Sequence, residues 1–407
     1  MKLKLSITVL FVVMMTLLLT GVAGQESDTE TYVLGVAQPF TGSLGSFGED
    51  FARGIELAVN QMNAELEASG SSIRFEIASA DTEQTPDGAA RAVQTIVQTT
   101  GAQVIIGPLT TGEVLGAKQF ADENDIVLVA PASSGVAGAI PGDNIFRVMY
   151  PPDTFASKAF AGIANMRGYE NVVILHVDDP FGNGLAESFI EDFQAGGGGE
   201  VSTIAYAPDP ADLSGEAAAV STELASLQGS GSTAFFCVCF LGDAQKLLQV
   251  AQVDPILSTV EWMGIENLAN EEILADEGHA NLLADANFVS VSFADASTPL
   301  TQPFIDTFVE AYGSEPGPFT NYAYDAANIA MLTMLVAGND GEAVKSMLPF
   351  VANHYIGTSV QAYLDENGDQ AIAVYGIYQV NADGIGFEQV GTYNGSSDSL
   401  TFEGGSE

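Results

Sequence analysis

Basic residues are scarce in this chain, with 11 Lys and Arg against 53 Asp and Glu among 407 residues and a formal net charge of −42. That ratio excludes a nucleic-acid-binding role, because neutralising phosphates requires clustered cations. The acids are dispersed, as at Glu187, Glu191 and Asp192, and a dispersed acidic surface favours solubility and points to a salty habitat. Histidine is limited to His176, His279 and His354, which lie far apart and lack the paired spacing of a metal site. Neither a G-x-S-x-G elbow nor a P-loop is present. No catalytic set, cofactor or metal is therefore expected. The only cysteines, Cys237 and Cys239, sit at i and i+2 in the apolar run Phe235–Phe240. Side chains projecting in parallel from one face of a strand do not easily reach disulfide geometry, so two buried free thiols are expected.

Long apolar runs are missing after the first residues. Lys2 and Lys4 precede an uncharged run from Leu5 to Leu19 and the small residues Gly21-Val22-Ala23-Gly24. This order is that of a secretory signal, expected over 1–24, and an exported protein follows. An uncut membrane tether is the other reading, since Leu5–Gly24 is about long enough to span a bilayer.

What the chain does have is regular alternation. Strands are predicted at Tyr32–Ala37, Ile73–Ala78, Val104–Ile106, Ile126–Ala130, Val172–Val177, Val201–Tyr206, Thr233–Phe240, Val260–Met263 and Phe288–Phe293. Amphipathic helices fall between them, the first carrying Phe51, Ile55, Val59, Met62 and Leu66 on one stripe. Short apolar strands alternating with helices imply an α/β fold with parallel sheets covered on both faces. So many strands exceed one compact sheet, and two doubly wound lobes are expected. Joints are expected at Val148–Pro152 and Ser292–Pro299, and an acidic Gly/Ser-rich tail over 394–407 is expected to be disordered.

Several motifs have a plain and a functional reading. Gly42, Gly45 and Gly48 lack dinucleotide-loop spacing and read as a tight turn. Asp365-Glu366-Asn367-Gly368-Asp369 starts like a calcium loop, but its glycine is at the fourth position and no twelfth-position Glu follows, so a hairpin turn is expected. Two hydroxyl-bearing turns are more informative: Gly107-Pro108-Leu109-Thr110-Thr111-Gly112 and Pro131-Ala132-Ser133-Ser134-Gly135. Each follows an apolar strand and presents backbone N–H groups where a carboxylate is well held. Ordinary helix capping explains either turn alone.

The segment Val36-Ala37-Gln38-Pro39-Phe40-Thr41-Gly42, then Phe47-Gly48, Gly54-Ile55-Glu56-Leu57-Ala58 and Asn63, resembles the opening of type I periplasmic binding proteins. More narrowly it resembles the branched-chain amino-acid-binding family of ABC importers. The resemblance runs from about Tyr32 to Thr392. It implies a ligand cleft between lobe 1 (30–150 plus 295–372) and lobe 2 (151–294 plus 373–393), with crossings near 150, 294 and 373. By resemblance, Thr111, Ser133 and Ser134 grip a ligand carboxylate, Glu266 takes the ammonium, and Phe47 and Phe181 are the aromatics of the two lobes. Phe181 and Phe240 lack the polar tip common in the family, which makes the pocket more apolar. The implied role is delivery of a small amino acid, branched-chain or otherwise apolar, by a monomer to a membrane ABC permease. Urea, a short amide or a carboxylate is the rival ligand class, and an extracellular sensory module is the rival function.

Overall fold

The computed structural model describes residues 29–402 apart from 228, 294–297, 359, 360, 382, 383 and 385. The expected export signal and the centre of the second joint lie outside the described residues. The first half runs β1 (Glu30–Gln38), α1 (Gly45–Ser69), β2 (Ile73–Asp81), α2 (Pro86–Thr100), β3 (Val104–Ile106), α3 (Thr111–Glu123), β4 (Val127–Val129) and β5 (Ile145–Phe146). These strands form one sheet of order β2-β1-β3-β4-β5, parallel throughout. Local chemistry sets the helix ends. Thr85 caps α2 by accepting from the Gly88 N–H at 3.0 Å, Pro86 follows, and left-handed Gly101 ends the helix.

The chain then passes to a second sheet through α4 (Thr154–Met166), β6 (Asn171–Val177), α5 (Pro180–Ala195), β7 (Glu200–Tyr206), α6 (Ser214–Leu227), β8 (Thr233–Val238), α7 (Leu241–Ala251), β9 (Glu261–Ile265), α8 (Glu271–Leu274), α9 (Glu277–Asp285) and β10 (Val289–Phe293). Next come α10 (Thr301–Tyr312), α11 (Thr320–Ala337) and α12 (Gly341–Ala352), of which α11 packs on α1. The chain finally rejoins the second sheet as β11 (Val374–Val380), β12 (Phe387–Asn394) and β13 (Ser399–Phe402). The order there is β13-β12-β11-β10-β9-β8-β6-β7, parallel from β7 to β10 and antiparallel beyond. The parallel part, β7-β6-β8-β9-β10, repeats the winding of the first sheet.

The period-two alternation of strands separates two apolar layers. Leu34, Val36, Val104, Ile106, Val127 and Val129 face α1 and α11, whereas Ala37, Ile105 and Leu128 face α2 and α3. Phe51, Ile55 and Val59 of α1 are almost completely buried, and each contributes about 1.5–3 kcal/mol relative to exposure. The first layer continues into the second half through Val148, Met149 and Tyr150. The Tyr150 ring meets Phe293, which ends β10, at 5.4 Å, and Phe293 meets Tyr375 of β11 at 5.8 Å. The segments that join the two halves are thus tied together by one aromatic cluster.

Two expectations are corrected. Cys237 and Cys239 form a disulfide with a Cα–Cα distance of 5.6 Å. The strand ends at Val238, so Cys239 leaves the extended geometry and comes within the range a disulfide spans. The tail expected at 394–407 is ordered as far as Phe402, because β13 pairs antiparallel with β12 from Ser399 to Phe402. Residues 403–407 lie outside the described residues.

Acids so outnumber bases that the folded surface repels itself, and added salt screens that repulsion. Raising NaCl from about 0.05 M to about 1 M, which shortens the screening length to about 3 Å, should raise the melting temperature of the ligand-free protein. Differential scanning calorimetry checks this, and a flat or falling curve would contradict it.

Candidate functional site

In each sheet the order reverses beside the first strand of the half, between β1 and β3 and again between β6 and β8. Ligands of open α/β sheets bind beyond the carboxyl ends of strands at such points. Here the two crevices face one another around a single cavity of about 80 Å³. The first half contributes Leu44 and Phe47 after β1, Leu109, Thr110 and Thr111 after β3, and Ala132, Ser133 and Ser134 after β4. The second half contributes Phe181 after β6, Phe240 after β8, and Glu266 and Asn267 after β9. Phe319, just ahead of α11, completes the lining. Phe47, Thr111, Ser133, Ser134, Phe181 and Glu266, the six residues singled out in the sequence, all line this cavity.

The turn after β1 is held from the end of β2. Asp81 accepts from the Phe40 N–H at 2.9 Å and the Thr41 hydroxyl at 2.7 Å, and Gln84 accepts from the Leu44 N–H at 3.0 Å. Gly48 is required by close approach, since a Cβ there would lie 2.2 Å from the Pro39 carbonyl oxygen. The turn so fixed aims Leu44 and Phe47 at the cavity.

Thr111 and Thr110 divide two tasks. Thr110 caps α3 in a capping box, its hydroxyl accepting from the Glu113 N–H while the Glu113 carboxylate accepts from the Thr110 N–H at 2.8 Å. Helix capping is therefore not the job of Thr111. The buried Thr111 hydroxyl accepts from the Gly135 N–H at 2.9 Å and lies 3.1 Å from the Ser133 hydroxyl. A side chain at Gly135 would sit 2.6 Å from the Thr111 Oγ1, so glycine permits this contact between turns. The Ser133–Gly135 turn is also held from behind. Arg147, wholly buried, donates from one terminal nitrogen to the Gly135 carbonyl at 2.7 Å and grips Asp369 through the other two nitrogens at 2.6 and 2.5 Å. Asp369 thus serves as a counter-ion, and Asp365 closes a turn by accepting from the Asn367 and Asp369 N–H groups. Among the described residues no group of acids, histidines or cysteines could hold a metal ion.

Ser134 behaves differently from Ser133. Its hydroxyl donates to the Asp153 carboxylate at 3.1 Å, and Asp153 is buried. Burial, then the negative charge of Glu266, push the Asp153 carboxyl up to about 8, against the pull of the Ser134 hydroxyl and Arg147. Glu266 is itself raised by burial, while a backbone N–H and the Tyr150 hydroxyl favour its charged form. The opposite wall is hydrocarbon: Phe181 and Phe240 stack at 5.5 Å, 19° from parallel. Phe319 has φ of 61°, a left-handed conformation that costs a bulky residue about 1–3 kcal/mol and that here places its ring on the cavity. Sequence reasoning missed Phe319, Leu44, Leu109 and Asn267. The Pro316-Gly317-Pro318-Phe319 turn before a helix was the available signal for the first.

A family model described as periplasmic binding protein matches residues 31–384. An uncharacterized protein of Methanocaldococcus jannaschii is 24% identical over 392 residues, covering 91% of each chain. A Leu/Ile/Val-binding protein of Rhizobium johnstonii is 23% identical, covering 77% of this chain and 82% of its own. The crystal structure of a leucine-binding protein, LivK, from Thermotoga maritima superposes with a TM-score of 0.72 at 22% identity, covering 91% of this chain and 97% of that one. Two facing α/β halves with a cavity between their switch points are the fold of type I periplasmic binding proteins, which bind substrates and are not enzymes. The chain belongs to the periplasmic binding protein family.

Proposed function

We propose that this protein is exported, captures an amino acid with an apolar side chain between two lobes, and presents it to an ABC permease. The observation that carries this reading is the division of one cavity into three chemistries. Thr111 and Ser133 offer hydroxyls on one side, Glu266 offers a carboxylate from the other half, and Phe47, Phe181, Phe240 and Phe319 enclose the rest. Hydroxyl donors suit a carboxylate, an acid suits an ammonium, and an aromatic wall suits a hydrocarbon side chain. Lobe 1 would comprise 30–150 plus 295–372, and lobe 2 151–294 plus 373–393, extended through β13. A zwitterion contacting both lobes favours the closed state, and only such differential binding can shift the population toward it. The names of the Leu/Ile/Val- and leucine-binding relatives support a branched-chain ligand.

A ligand that binds only the folded protein adds about 2.7 kcal/mol of stability at a hundredfold excess over Kd. Leucine, isoleucine or valine should raise the melting temperature in a panel that also holds urea, short amides and simple carboxylates. A shift from an amide or carboxylate with none from any amino acid would overturn the assignment. Ser133→Ala removes one hydroxyl without orphaning a backbone group. A charge-assisted hydrogen bond contributes about 1.5–3 kcal/mol, so leucine should bind about tenfold or more weakly, with little change in ligand-free melting. Titration calorimetry checks this, and an unchanged Kd would remove Ser133 from the carboxylate site. Glu266→Gln should weaken leucine binding by well over tenfold, since losing one partner of a buried charge pair costs about 2–5 kcal/mol. Equal loss for leucine and for its amine-free analogue 4-methylpentanoate would mean that Glu266 shapes the pocket without meeting the amine.

A further inference from the structure

Two rings of the aromatic wall, Phe181 and Phe240, stand on helix starts of the second half, and the two starts are held differently. Phe181 lies in the first turn of α5, where Asp179 caps the helix by accepting from the Gly182 N–H at 2.8 Å and Pro180 fixes the entering backbone. Phe240 stands at the cap position of α7, its carbonyl accepting from the Asp243 and Ala244 N–H groups at 3.0 and 2.8 Å. Its side chain makes no capping bond, and no proline opens the helix. What stands immediately before it is the Cys237–Cys239 disulfide. Cys237 lies in register with Leu175 of β6 and Gly264 of β9, so the sheet holds it on both sides. β8 ends one residue later, at Val238. Two steps of extended strand would span about 6.6 Å, whereas the Cα atoms of Cys237 and Cys239 are 5.6 Å apart. The crosslink thus ties the first residue off the sheet to a strand fixed on both sides, one residue ahead of Phe240.

We propose that Cys237 and Cys239 are positioning residues of the ligand site: their disulfide fixes the start of α7, keeps the Phe240 ring stacked on Phe181, and so sets how large a side chain the cavity admits. This rests on the amino-acid reading above. The disulfide stands where α5 has an Asp cap and a proline, and it does the same work of fixing the backbone from which a wall ring projects. A crosslink that closes so short a loop takes little entropy from the unfolded chain, because that gain grows with loop length. Its effect is local rather than global. Both cysteines are wholly buried, so outside thiols do not reach them and the bond is a standing part of the wall. The cavity that Phe181 and Phe240 line is small, about 80 Å³, and a shift of either ring changes the room left for a side chain. One methylene more or less in an apolar pocket changes affinity by about 10–200-fold, and a wall that yields gives up that discrimination.

Two double variants test this. Cys237→Ala with Cys239→Ala removes the bond, and Cys237→Val with Cys239→Val removes it while keeping the buried volume filled. In both, the preference for leucine over phenylalanine, read by titration calorimetry as a ratio of Kd values, should fall about tenfold, while leucine itself changes by less than about threefold. Hydrogen exchange of the ligand-free protein gives a readout that needs no ligand. The Asp243 and Ala244 amides, which bond the Phe240 carbonyl, should exchange about tenfold faster in both variants, and the Gly264 amide of β9 should not change. A merely structural crosslink would lower the melting temperature and leave the Kd ratio where it was. An unchanged ratio or unchanged exchange at Asp243 and Ala244 overturns the inference. So do free thiols at Cys237 and Cys239 when the unaltered protein is denatured and alkylated without reductant. If no amino acid binds the unaltered protein, the functional reading fails and the selectivity claim with it, and the exchange rates still decide whether the disulfide holds Phe240.

Discussion

The buried guanidinium of Arg147 is the point on which the site depends. It joins the end of β5 to Asp369, 222 residues away, and holds the Gly135 carbonyl with its remaining nitrogen. The backbone repeats the link, as the Arg147 N–H donates to the Gly368 carbonyl and the Gln370 N–H to the Arg147 carbonyl, each at 2.9 Å. Removing one partner of such a buried pair typically costs about 3–5 kcal/mol, because the other charge is left stranded. Here the cost would be local as well as global. Gly135 is fixed on one side by Arg147 and on the other by Thr111, so the two hydroxyl turns keep their spacing only while both bonds exist.

From that anchored turn the rest of the cavity follows by packing. The first half is a rigid parallel sheet with apolar layers on both faces, and its loops can place hydroxyls to within a hydrogen-bond length. The second half repeats the winding and brings Phe181, Phe240 and Glu266 from equivalent strand ends. Between them the Tyr150, Phe293 and Tyr375 rings pack at the joint, and Tyr150 also favours the charged form of Glu266. The joint and the acid end of the cavity are therefore one cluster. A change in the angle between the halves would move the groups that set the charge state of Glu266 and Asp153.

Burial and function pull against each other in this cluster. Asp153, Glu266, Tyr150 and Tyr375 all have their pKa values raised, each chiefly by loss of water. An apolar core of the same shape would be more stable, since unpaired buried acids are costly. Perturbed groups of this kind cluster at functional sites.

Local pattern was enough to read the alternating strands and helices and the two hydroxyl turns, and local chemistry likewise sets the Thr85–Pro86 and Gly101 helix ends. Each depends on neighbours within a few residues: apolar triplets such as Val104–Ile106, a capping hydroxyl, a glycine free to turn left-handed. The likeness of the motifs, in their order, added the family and six cavity residues. Local sequence did not carry the Arg147–Asp369 pair, because ion pairing over that separation leaves no periodic trace. Nor did it reveal that Cys239 steps off its strand toward Cys237, that Thr110 and not Thr111 caps α3, or that Ser134 turns its proton toward Asp153. Those were decided by where strands end and by which atoms burial leaves facing one another, and only the packed chain fixes either.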